Sequence, residues 1–132
     1  MSVQAVNIPS DKYPSRRTIM ATTNELTQVP GAVAGFTFSP SGQLLDSDIK
    51  PGNHELDEST LEMLAHICVA NLAISNMQAA GWEKSSELKG FNPVEGFTFV
   101  CLDVSVVARG NKAIVLINQH ADYDKAFEAL AD

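Results

Sequence analysis

Two cysteines, three histidines, a single tryptophan and a short acidic run are the side chains of this 132-residue sequence from which chemistry could be built. Cys68 and Cys101 lie far apart, with no C-x-x-C and no His/Cys cluster at metal-ligand spacing. A thiol turns nucleophilic when a positive neighbour lowers its pKa. Cys68 instead falls on an apolar face of a helix-period segment, and Cys101 stands between Val100 and Leu102 in a strand-like run. Both settings raise a thiol pKa, so both cysteines are expected to be buried, free and unreactive, as in a reducing compartment. His54 lies near Glu55 and Asp57, and His66 is two residues from Cys68. Residues two apart on a helix point about 200° from each other, so His66 and Cys68 cannot share an ion within one chain. The expectation is histidines that are solvated or cap a helix. Asp46-Ser47-Asp48, with Gly52 and Asp57 beyond, has the outline of a calcium loop, but Lys50 and Pro51 stand where such a loop needs an oxygen ligand and a glycine. The phosphate-binding G-x-x-x-x-G-K-[ST], the dinucleotide G-x-G-x-x-G and the nucleophile elbow G-x-S-x-G are all missing. The expectation is therefore no catalytic residue, no metal, no cofactor and no GTPase activity of its own. Trp82, beside Glu83, Lys84 and Lys89, reads as a loop aromatic, either a lid over the core or a partner-binding residue.

The length suits one hydrophobic core, and 45% apolar with 19% charged residues is the balance of a globular chain. The net charge is −7, and from Met20 onward there are six basic and fifteen acidic residues, a net of −9. A surface of that sign repels phosphate backbones and anionic headgroups, so nucleic-acid and membrane-surface binding are disfavoured. No apolar run approaches the ~18 residues of a membrane helix. The polar stretch after Arg16-Arg17 offers no export-signal core. A cytoplasmic protein without membrane insertion is expected.

Residues 1–20 hold Pro9 and Pro14 and no sustained periodicity, so they read as an extension, either an arm or a segment before an alternative start at Met20. The domain is read over 21–132. Thr22 or Thr23 can cap a short helix that Pro30-Gly31 ends. Val33 to Ser39, Pro40-Ser41-Gly42, and Leu44 to Ile49 spell strand, turn, strand. Asp57 marks the start of a long helix that Gly81 is expected to cap near Ala80. Strands follow over Phe97 to Leu102, Val104 to Arg109 and Ala113 to Asn118, the last two joined by Gly110-Asn111, and a helix over Asp122 to Leu130 closes the chain. The order α-β-β-α-β-β-β-α predicts an α/β chain of the α+β kind, a five-stranded antiparallel sheet flanked by helices. Ala113-Ile114-Val115-Leu116-Ile117 is apolar on both faces, as the central strand should be.

The long helix carries two apolar stripes. Leu61, Ala65, Cys68, Leu72 and Ala79 form one; Met63, Ile67, Ala70, Ile74 and Met77 form another on a different side. A helix lying on its own sheet needs one stripe. The second calls for another surface, which its own loops, the N-terminal arm or a second subunit could supply; a two-fold contact between twin helices is the preferred account. The run Phe97 to Leu102 is apolar on both faces with no blocking Lys or Pro, so as an edge strand it also needs cover. Met63, Ile67, Ala70, Ile74, Met77, Phe97 and Phe99 are the expected dimer interface.

The segment from Val29-Pro30-Gly31 to Phe36, continuing through Ser39-Pro40-Ser41-Gly42 to Asp46, resembles the opening of roadblock (dynein light-chain) proteins. Asn76 to Trp82 and Asn92 to Phe97 are similar to stretches of an uncharacterised prokaryotic branch of that superfamily. The resemblance covers about residues 22–131. It implies a profilin-like sheet, homodimers built on the long helix and an edge strand, and a scaffold or regulatory role toward a small GTPase or a protein complex; it brings no catalytic residues. The alternative function is a small-ligand sensor or thiol-dependent protein using Cys68 or Cys101 in a pocket between sheet and long helix.

Overall fold

The computed structural model describes residues 22–52 and 56–131; the extension over 1–20 and His54 lie outside the described residues. The elements are α1 (Thr23–Leu26), β1 (Ala32–Phe38), β2 (Leu44–Ile49), α2 (Glu58–Ser86), β3 (Gly96–Val100), β4 (Val104–Arg109), β5 (Lys112–Ile117), a 3₁₀ turn (Asn118–His120) and α3 (Tyr123–Ala129). The expected order holds, with the 3₁₀ turn added. All strand pairs are antiparallel, in the order β2-β1-β5-β4-β3. The doubly apolar β5 is the centre, and β2 and β3 are the edges.

Caps fix where the helices begin. Thr22 accepts the Glu25 N–H while Glu25 reaches back to the Thr22 N–H, a closed capping box. Asp57 accepts from the Thr60 N–H at 2.8 Å and from its hydroxyl at 3.0 Å; these bonds to the charged form hold its carboxyl below the ordinary 3.8. Asp122 accepts from the Lys125 N–H in the same way.

The sheet is covered on both faces. On one, α2 lays Leu61, Ala65 and Cys68 over Ala34, Phe36, Val106, Ala113 and Val115. On the other, α1 and α3 bring Leu26, Ala126 and Leu130 against Val107, Ile114 and Leu116. Alternation along β4 and β5 divides these two clusters. Gly35 permits the close seating of α1: a Cβ there would lie 2.8 Å from the Leu26 Cβ and 3.0 Å from the Thr23 carbonyl oxygen.

Two sequence expectations are corrected. α2 does not stop at Gly81 but runs on to Ser86, with Glu87 in the left-handed region (φ 60°) as its cap. Trp82 and Lys84 are therefore helical, and the loop begins at Glu87. β3 ends at Val100, and Leu102-Asp103 form the two-residue connection to β4, closed by the Cys101 N–H on the Val104 carbonyl. At 29 residues, with mean hydropathy 1.2 over its most apolar 18-residue window, α2 could cross a membrane by length and composition alone. His66, Asn71 and Asn76 interrupt it, however, and Leu61, Ala65 and Cys68 of its first stripe are occupied by the sheet of its own chain.

Candidate interaction surface

The two sheet edges differ in what their backbones offer. In β3 the ladder bonds are bracketed by Cys101 N–H to the Val104 carbonyl (2.9 Å) and Gly110 N–H to the Glu95 carbonyl (3.1 Å). With Phe97 opposite Ala108 and Phe99 opposite Val106, antiparallel alternation turns odd-numbered backbone groups toward β4. It turns the N–H and C=O of Gly96, Thr98 and Val100 outward. β3 holds no charged residue and no proline. In β2 the same alternation, set by Lys50 N–H on the Val33 carbonyl, turns the Ser47 N–H outward, where Asp46 Oδ1 accepts it at 3.0 Å. Asp46 and Asp48 add charge to that edge, while their other oxygens accept from Thr23, Asn24 and Thr27. β2 is thus protected against strand addition, and, among the described residues, β3 is open to it.

α2 also has an unburied side. Met63, Ile74 and Met77 are exposed at 55%, 53% and 75%, Ala70 is exposed and Ile67 is half-buried. The helix passes the β1–β2 turn, where the His66 ring abuts Gly42, and comes alongside the approach to β3, where Asn76 Oδ1 accepts the Val94 N–H at 2.7 Å. Phe97 and Phe99 stand on the α2 side of the sheet, since their β4 partners Ala108 and Val106 belong to the α2 core. Phe97 is half-buried and Phe99 exposed. α2 and the two edge phenylalanines therefore stand on the same face of the sheet.

Residues 22–132 match the family described as Uncharacterized conserved protein (DUF2173). The chain belongs to that family. No curated protein matches the DUF2173 chain significantly. Among solved structures it is similar to a Roadblock/LC7 domain from Streptomyces avermitilis, at TM-score 0.64 and 11% identity over 81% of this chain and 84% of that one. It is also similar to Myxococcus xanthus MglB, at TM-score 0.56 and 18% identity over 86% and 91%. A third is an MglB structure with a tetrameric arrangement, at TM-score 0.57 and 15% identity over 94% and 90%. These likenesses show the fold: the DUF2173 chain has the roadblock architecture that its opening segment resembles.

Trp82 is exposed at 65%. It sits about 100° round α2 from the Met63 to Met77 stripe, so it belongs to neither stripe. Beyond it, Glu83 Oε2 accepts the N–H groups of Gly90, Phe91 and Asn92 at 3.0, 3.2 and 3.3 Å, strapping the loop to the helix. Sequence reading missed Glu83 and Asn76 in this role, because nothing in local spacing marks a carboxylate that serves a loop seven to nine residues on.

The thiols part company. Cys68 is buried under α2, and desolvation pushes it from 9.0 to about 12. Cys101, expected to be buried, is exposed at the β3–β4 hairpin. Among the described residues no group of three His, Cys, Asp or Glu could hold a metal ion.

Proposed function

We propose that this DUF2173 protein is a non-enzymatic homodimeric binding module of the cytoplasm, a scaffold or regulator acting on a small GTPase or a protein complex. The observation that carries the proposal is a strand edge that is uncharged and, among the described residues, unpaired, on the same face of the sheet as a helix with an exposed apolar stripe. A two-fold contact would pair β3 with its twin and bring α2 against its twin in the same operation. Full burial of each Ile or Met is worth about 1.5–3 kcal/mol. The tetrameric arrangement of one MglB supports self-association, and the roadblock likeness supports the GTPase.

A sensor or thiol enzyme would need space between α2 and the sheet. Phe36, Leu61, Ala65 and Cys68 instead pack into one apolar cluster there. Light scattering at micromolar concentration is expected to give twice the 14.2 kDa chain mass; monomer would overturn the dimer. Titration against small GTPases of the source cell, each loaded with GDP or a non-hydrolysable GTP analogue, is expected to show binding that depends on the nucleotide. No binding in either state would remove the GTPase and leave the scaffold.

A further inference from the structure

The tip of the β3–β4 hairpin and a phenol on α3 are the two ends of one chain of hydrogen bonds. Neither Leu102 nor Asp103 at that tip has the positive φ by which two-residue hairpins usually match the strand twist. The tip is instead clipped by Asn118, the first residue past β5. The amide nitrogen of its side chain donates to the carbonyls of Cys101 (2.8 Å) and Leu102 (3.1 Å), and its backbone N–H donates to the Asp103 carbonyl (2.9 Å). Asn118 Oδ1 accepts from the Ser105 hydroxyl. Ser105 is fully buried in β4, on the α3 side of the sheet with Val107, and its Oγ lies 3.1 Å from the Tyr123 hydroxyl at the start of α3. What each group can donate or accept fixes the direction of the whole chain. Carbonyls only accept, so the amide turns its nitrogen to the tip and its oxygen to Ser105. Ser105 has one proton and gives it to that oxygen. The Tyr123 hydroxyl is therefore the donor to Ser105.

We propose that this directed chain couples α3 to the hairpin tip, with Tyr123 and Ser105 as positioning residues that hold the Asn118 amide in its clipping orientation. The amide has two arrangements. In the present one Nδ2 faces the tip. Turned over, Nδ2 donates to Ser105, and Oδ1 stands against the Cys101 and Leu102 carbonyls, which repel it. The Tyr123 proton favours the first arrangement, because it occupies the Ser105 oxygen and directs the serine proton to Oδ1. Ser105 lies out of water, so a hydrogen bond lost there is not replaced by solvent. A hydrogen-bond chain with two discrete arrangements is a physical carrier of coupling between elements. α3 is seated through Ala126 in the apolar cluster on its face of the sheet. The tip is thus held while α3 is seated and loosens when α3 lifts.

Cys101 supplies the reporter. A thiol-specific nitroxide at neutral pH is expected to attach to this exposed cysteine and to leave the buried Cys68 unmodified, and its paramagnetic resonance spectrum reads how freely the tip moves. Asn118→Asp keeps an acceptor for Ser105 and replaces the clipping donors with an anionic oxygen. It is expected to speed the label's motion several-fold; an unchanged spectrum overturns the clip. Tyr123→Phe keeps the ring and removes only the phenol O–H, so packing alone predicts the wild-type spectrum. Motion faster than wild type is expected, and the wild-type spectrum overturns the coupling to α3. Amide hydrogen exchange on the unaltered protein checks the clip without any variant. The Cys101 and Asn118 N–H groups are expected to exchange as slowly as the β4 amides, and exchange at the rate of an open loop overturns the clip.

Discussion

Cys68 and Cys101 carry the same group in opposite settings, and the contrast shows what sequence spacing encodes. Cys68 recurs with Leu61 and Ala65 at helical spacing, so its burial is legible. Cys101 is flanked by Val100 and Leu102, a pattern shared by a buried strand and by a hairpin tip. What separates the two is the Asn118 amide on the tip's carbonyls, a contact between residues 16 and 17 positions apart. An Ellman titration of the native protein is expected to label Cys101 alone, and both thiols in denaturant. The unfolded chain ionises the Cys68 thiol near 9.0 and the folded chain only near about 12. The burial of the neutral thiol therefore contributes fully below pH 9, and that contribution is lost as pH rises toward 12. Urea midpoints should show it: wild type loses stability above pH 9, and Cys68→Ala, lacking the titrating group, loses less.

Among the elements, β1, β2, β4 and β5 were legible because turns and alternation bound them, while the end of α2 was not. Glycine after an apolar run reads as a cap, but Gly81 has no positive φ and its Cβ position faces open space. The helix continues because Trp82, Glu83 and Lys84 tolerate it and Glu83 uses its place there to hold the strap. A glycine in a helix interior costs about 0.5–1 kcal/mol relative to alanine. Gly81→Ala is accordingly expected to stabilise the protein by about that amount in urea unfolding; destabilisation would mean that the helix breaks there. The edge strand gives a sharper contrast. The Val100 N–H points outward and the Phe99 N–H bonds inward, so proline has opposite consequences at neighbouring positions. Val100→Pro is expected to yield folded monomer, and Phe99→Pro to lower the melting temperature of the subunit itself. Circular dichroism melts paired with light scattering read both outcomes, and a stable Val100→Pro dimer would show that β3 is not the pairing edge.

For the whole molecule, charge and apolar surface act against each other. Each chain carries −7, and two chains of that charge repel as they approach. In the proposed interface Met63, Ile67, Ala70, Ile74, Met77, Phe97 and Phe99 contribute no ionic group to offset the repulsion, so a dimer built on them would retain it as a long-range cost. Salt shortens the reach of that repulsion, from about 30 Å at 0.01 M to about 8 Å at 0.15 M, and leaves apolar burial nearly untouched. The dimer is therefore expected to tighten several-fold between those ionic strengths, with most of the gain in the association rate. Ile74→Glu adds a charge at the stripe and should give monomer at both. An interface built on ion pairs between acidic and basic patches would weaken with salt over the same range. Sedimentation equilibrium at 0.01 M and 0.15 M salt separates the two by the sign of the change alone, and a dimer that loosens as salt is added would move the interface away from α2 and β3.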